Sequence, residues 1–134
     1  MTAVVIDYAG ICSSEEGKKA VSEKRSGKFV QIRNDDREYL VFSTADLTPY
    51  HADIVERFCR EKGLHGTYDG ARKRFDISDT AWVIAGGGKF EIDKEQRYIR
   101  LYDNSMAYGR FDSQKLSEKI RGTDLPKDLE IRIE

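Results

Sequence analysis

The stretch KFVQIRNDDREYLVFSTADLTPYHADIVERFCREKG, residues 28–63, decides the fold. Lys28–Arg33 and Glu38–Ser43 are short runs of aromatic and β-branched residues, joined across Asn34, Asp35, Asp36 and Arg37, a composition that suits a tight turn. They read as an antiparallel hairpin. Thr48 is then a good N-cap, and Pro49 takes the first helical position, where its missing N–H costs nothing. The helix runs to about Lys62. Ile54, Val55, Phe58 and Cys59 recur at helical spacing to give one apolar stripe, and Gly63 stands where a terminating glycine belongs. A hairpin followed by an amphipathic helix calls for a sheet with the stripe packed on it.

Outward from there, Ala3–Ile6 reads as a first strand, and the Ser-, Glu-, Lys- and Gly-rich stretch Ser13–Gly27 as a loop or frayed helix. Leu64–Thr80 carries Gly66, Gly70 and many charges, so an excursion or irregular hairpin is expected. Ala81–Ala85 and Lys89–Asp93 flank Gly86, Gly87 and Gly88, a triplet that bends or bulges a strand where another backbone comes close. Arg97–Tyr102 alternates like a half-buried strand, with Ile99 and Leu101 on one face. Asp112 can cap a short helix carrying Leu116 and Ile120 and stopped by Gly122, and Leu129, Ile131 and Ile133 alternate as a last strand. Strands, helix, strands, helix and strand in this order predict an α/β domain, a mixed sheet with helices packed on it.

The 134 residues favour one domain, 1–134, without internal repeats. With 39% hydrophobic residues a modest core can form. Lys and Arg number 23 against 24 Asp and Glu, so the basic excess of a general nucleic-acid or anionic-membrane binder is absent. The longest apolar run, Ala81–Ala85, falls far short of the roughly 20 residues that span a bilayer. Met1–Ile6 lacks a basic leader, so a cytoplasmic protein is expected. Cys12 and Cys59 form neither a disulfide framework nor a C-x-x-C pair and read as reduced bystanders.

Elimination narrows the chemistry. Neither cysteine has an arginine at the spacing of a cysteine phosphatase, since Lys18 and His65 stand there. Gly88-Lys89 is followed by Phe90, without the hydroxyl a P-loop places on magnesium. Two histidines, His51 and His65, with no H-E-x-x-H run offer few ligands for catalytic zinc, so no metal or cofactor is expected. His51 falls at N3 if Thr48 is the cap, where the helix dipole disfavours imidazolium and free backbone N–H groups suit an anion. A base beside an anion site is a phosphoryl-transfer arrangement, although a packing histidine would occupy the same position. Ser105–Gly109 follows a strand and carries small residues that let backbone approach a ligand; on composition alone it is also an ordinary loop.

Tyr50-His51-Ala52-Asp53, then Gly86-Gly87-Gly88-Lys89, then Ser105-Met106-Ala107-Tyr108-Gly109, with the Lys28–Arg33 strand before them, resemble the protein histidine phosphatase family, also called the Janus family. The likeness covers most of the chain from Lys28 onward; residues 1–27 match poorly, and 64–80 look inserted. The resemblance implies a small α/β domain, a mixed sheet with one helix on each face. It implies metal-free removal of phosphate from phosphohistidine in a protein or peptide, with release of inorganic phosphate. A monomer that engages neither nucleic acid nor membrane is expected. His51 matches the essential histidine, flanked by Tyr50 and Ala52; Lys28 matches the lysine that supports the substrate phosphate, and Ser105, Met106 and Ala107 fall in the phosphate loop. Lys89 stands where the family often has arginine, and Ser43 where some members have another, so the planar fork is lost there. The alternative is a module that binds phosphohistidine or another anion without turning it over.

Overall fold

The computed structural model of the protein describes residues 2–9, 24–123, 125 and 127–134. Eight strands and two helices follow in the order β1 (Thr2–Asp7), β2 (Lys24–Arg33), β3 (Arg37–Ser43), α1 (His51–Lys62), β4 (Gly66–Tyr68), β5 (Phe75–Ile77), β6 (Val83–Asp93), β7 (Tyr98–Tyr102), α2 (Leu116–Arg121) and β8 (Glu130–Ile133). Six strands form one sheet in the order β1-β3-β2-β6-β7-β8, and β4 and β5 pair separately. The outer pairs β1–β3 and β7–β8 run parallel and the inner ones antiparallel.

The expected class is corrected by this architecture. The fold is mostly β, 44% strand against 15% helix among the described residues, with the large sheet curled into a half-barrel, and it is not an α/β sheet with a helix on each face. The reason lies in two segments. Lys24–Gly27, expected as loop, extends β2 by pairing with Glu91–Asp93 and Phe90 of β6, while 13–23 lie outside the described residues. The second helix is only six residues, too short to cover a sheet face, and much of the core around it comes from Phe111, Leu125 and Leu129 outside helices.

Successive residues of β2 and β3 serve two cores. Phe29, Leu40 and Phe42 join Phe90, Ile92, Leu101 and Phe111 in one cluster, whereas Val30, Ile32 and Val41 pack with Ile54, Val55 and Phe58 of α1 in the other. A strand buried on both faces reads as a continuous apolar run, which is why these two showed no polar alternation. The hydrophobic stripe of α1 is buried as expected, and Gly63 ends the helix at φ 71°. The N-terminus differs. Tyr50 rather than Thr48 is the N-cap, its backbone extended at φ −124° and ψ 154°, because the Asp53 carboxylate accepts the Tyr50 N–H at 3.1 Å and anchors the turn there. Asp112 likewise does not cap α2, which starts after Lys115 in a left-handed conformation; its carboxylate binds Arg33 at 2.8 Å instead.

Leu64–Thr80 contains the small β4–β5 hairpin, whose Tyr68 and Phe75 pack edge to face against the α1 core. The glycine triplet lies inside one continuous strand, β6. Between Gln31↔Gly86 and Ile32↔Ile84 the register slips, leaving Ala85 as the extra residue of a bulge.

Candidate functional site

Four pieces of chain meet at the middle of β2 and β6, where the neighbouring strands β3 and β7 end. Strand pairing sets Lys28 between Ser43 and Lys89. Two lysines directly opposite each other repel, and each has a separate oxygen partner: Lys28 donates to the Pro49 carbonyl, and Lys89 pairs with Asp103 at 3.1 Å. Helix α1 points its first turn at the same spot, so His51 stands at N1 rather than N3. The amides of His51 and Ala52 in that turn have no intrahelical acceptor.

His51 is only 8% exposed, and its Nε2 lies 2.8 Å from the Gly88 carbonyl oxygen. A carbonyl can only accept, so Nε2 carries the proton of the neutral ring and Nδ1 holds the lone pair. Burial pushes the imidazole below its ordinary value of 6.5; the Gly88 bond pulls it back up, and the charges of Lys28 and Lys89 press it down further. The result is a neutral base of fixed tautomer at neutral pH. Gly87 makes this seat possible, since a Cβ there would lie 2.8 Å from the Phe29 oxygen and 2.9 Å from His51 Cδ2. The triplet thus admits close approach, as its sequence indicated.

The Ser105–Gly109 loop is closed by Ser105 N–H to the Gly109 oxygen at 3.1 Å and Gly109 N–H to the Ser105 oxygen at 2.8 Å. The buried Ser105 hydroxyl accepts the Tyr108 N–H at 3.1 Å. Gly87 N–H binds the Gly109 oxygen at 3.1 Å, and Phe111 N–H returns to the Gly87 oxygen at 3.2 Å, which rivets the loop to β6. The Met106 and Ala107 amides, at the turn, donate to no group among the described residues. Such a nest of free N–H groups next to a helix start favours an anion.

Of the residues singled out in the sequence, Lys28, Tyr50, His51, Lys89, Ser105, Met106 and Ala107 line one cavity of about 810 Å³. Ala52 does not: its side chain is fully buried in the α1 core, and only its backbone faces that end of the helix. Ser43 is also fully buried and outside the lining, its hydroxyl without a hydrogen-bond partner. Sequence reasoning missed Asp103 and Asn104, which lead into the loop, and Asp69, Lys73 and Arg74 of the hairpin. Adjacency to Ser105 signalled the first two; nothing local signalled the others. Among the described residues no group of three or more His, Cys, Asp or Glu could hold a metal ion.

A family model described as Janus/Ocnus matches residues 20–127, most of the chain and every lining residue of this cavity. The chain belongs to the Janus/Ocnus family. This corrects the resemblance drawn from the motifs: the matched description names no phosphohistidine phosphatase, so the assignment to a protein histidine phosphatase family, with Janus as its second name, does not stand. The Janus/Ocnus match takes in the 64–80 hairpin as well. No curated protein matches the chain. No helix among the described residues is long and apolar enough to cross a membrane.

Proposed function

We propose that this chain hydrolyses phosphohistidine, breaking the P–N bond with the Nδ1 nitrogen of His51 as base or nucleophile. The observation that carries the reading is the bond from His51 Nε2 to the Gly88 oxygen, which leaves the lone pair on Nδ1 of a buried neutral ring that lines the same cavity as the free amides of Met106 and Ala107. Phosphoryl transfer needs little covalent chemistry from the protein; it needs positioning and compensation for charge on the equatorial oxygens. The amides of Met106, Ala107 and the first turn of α1, with the Lys28 ammonium, supply that compensation. Lys89, neutralised by Asp103, contributes less.

In the hydrolysis, Nδ1 either removes a proton from an in-line water or attacks phosphorus itself, and water then releases phosphate from the ring. In both routes the leaving imidazole takes up a proton, and the products are histidine and inorganic phosphate. A P–N bond suits this set of residues because the leaving imidazole, once protonated, departs without a metal to stabilise it. The substrate is a phosphohistidine-containing protein or peptide, and the protein acts as a monomer in the cytoplasm without nucleic acid or membrane. A buried Cys59, its thiol pushed up to about 11 by burial, accords with a reducing compartment.

The test is release of phosphate from a phosphohistidine peptide by wild type and His51→Ala, with and without excess EDTA. Turnover is expected to fall by about two orders of magnitude or more in the variant. EDTA should leave the wild type active. Unchanged turnover in a folded His51→Ala would overturn the reading, and phosphate binding without any turnover would make the site an anion-binding module.

A further inference from the structure

The β4–β5 hairpin gives this cavity a wall that the four pieces described above do not account for. Its turn brings Asp69, Lys73 and Arg74 to the lining. Most charges in the cavity are already engaged within the protein. Asp103 holds Lys89. The Asp69 carboxylate accepts the backbone N–H groups of Lys73 and Arg74 at 2.8 and 3.2 Å. Arg74 pairs with Asp76 at 2.7 Å and donates to the Ala107 oxygen at 2.6 Å, tying the hairpin to the loop. Two ammonium groups of the lining have no carboxylate partner among the described residues: Lys28 on β2 and Lys73 on the hairpin.

These two have different surroundings. Lys28 bears directly on the protonation of His51, so its charge belongs to the phosphoryl end. Lys73 sits in the turn of an element that other residues tie to that end, Arg74 to the Ala107 oxygen, Phe75 to the Tyr108 hydroxyl and Tyr68 to Asp53. The volume points the same way, because about 810 Å³ is a cavity for a whole small ligand or several residues, far more than one phosphoryl group fills. At the mouth Met106 is fully exposed and Tyr50 is 60% exposed, apolar surface that flanking residues of a peptide would cover.

We propose that the hairpin adds a second anion subsite to this cavity, with Lys73 as its cation, so that the preferred substrate carries a carboxylate residue beside the phosphorylated side chain. The inference rests on the phosphoryl-site reading above. Lys73 contributes to selection between substrates, and His51 and the loop amides to the chemistry.

The test uses the full chain and three peptides carrying a non-hydrolysable phosphonate mimic of phosphohistidine: one flanked by alanines, one with glutamate just before the mimic, one with glutamate just after it. A fourth peptide has glutamate and plain histidine. Calorimetric titration at low salt should show at least one glutamate peptide binding about threefold or more tighter than the alanine peptide, the scale of one partly exposed ion pair. Lys73→Ala should erase the ratio and Lys73→Arg should keep it. Equal affinity of the three mimic peptides, or a preference that survives Lys73→Ala, would overturn the subsite while leaving the phosphoryl site standing, provided inorganic phosphate still displaces the alanine peptide, whereas binding of the fourth peptide as tight as that of its mimic counterparts would overturn the phosphoryl site on which the subsite rests. Binding by none of the mimic peptides would sink the phosphohistidine reading and the subsite together.

Discussion

A single hydrogen bond does most to define His51. Because Gly88 offers a carbonyl, the ring is held as the Nε2–H tautomer, and because the ring is buried, it resists protonation. The His51 resonance should therefore titrate below 6.5 in a proton NMR titration, with His51→Ala separating it from His65. Lys28→Met removes a charge that presses the imidazole down, so it should move the midpoint upward without restoring the ordinary value, since burial is the larger cause. The sign for stability follows from the same shift. The folded state binds the proton less readily than the unfolded chain, so this group destabilises the fold progressively as pH falls below 6.5, and a titration midpoint above 6.5 in the wild type would refute the assignment. Lys28 and His51 should also separate binding from chemistry. A neutral imidazole attracts a dianion weakly and an ammonium strongly, so phosphate affinity by calorimetry should survive in His51→Ala and drop in Lys28→Met, most clearly at low salt.

At the scale of elements, β6 and the loop behind it hold the site through closeness rather than through side chains. Gly87→Ala places a Cβ against the Phe29 oxygen and His51 Cδ2, and with Ser105 Cβ at 3.3 Å the new methyl has no free side to move toward. The expected cost is about 1–3 kcal/mol in urea unfolding, as for other overpacked sites, with kcat lowered by displacement of the ring from Gly88. Wild-type values of both would mean that the strand yields. Tyr108 couples the loop to the hairpin: its hydroxyl donates to the Phe75 oxygen at 2.6 Å and accepts the Phe75 N–H at 2.8 Å. Tyr108→Phe leaves both backbone groups of a half-buried strand unpaired, which should lower stability by about 1–3 kcal/mol and speed amide exchange in β5.

Across the whole molecule, β2 joins the site to a polar network. Gln31, beside Gly86, exchanges hydrogen bonds with the Asp112 backbone at 3.1 and 2.7 Å, while Arg33 reaches both the Asp112 carboxylate and the fully buried Glu38. Lys119 of α2 approaches the other Glu38 oxygen at 3.2 Å. One carboxylate thus ties α2 and the segment after the loop to the centre of the sheet. Glu38→Ala should cost about 3 kcal/mol, the lower end for breaking a buried pair because Arg33 and Lys119 keep partial access to water. A change below about 0.5 kcal/mol in urea unfolding would show that the network carries no stability.

The sequence by itself determined the features that follow from neighbours in the chain. The β2–β3 hairpin, the apolar stripe and terminal Gly63 of α1 and the bulging glycines were legible, because strand patterns, helical periodicity and small residues act over a few positions, whereas His51, Lys28 and the Ser105–Gly109 loop were grouped by the motif resemblance and by no local pattern. Only the tertiary structure decided the rest. Lys24–Gly27 became strand because β6 was there to pair with it, and the α1 cap moved to Tyr50 because Asp53 reaches back to its amide. The short α2 left the sheet to dominate, so the class is mostly β. The tautomer of His51 depends on a carbonyl 37 positions away, and Lys73 and Arg74 reach the cavity on a hairpin whose sequence shows no sign of where it folds. Both depend on contacts between residues far apart in the chain, and local propensity contains no information about which distant backbone group will arrive.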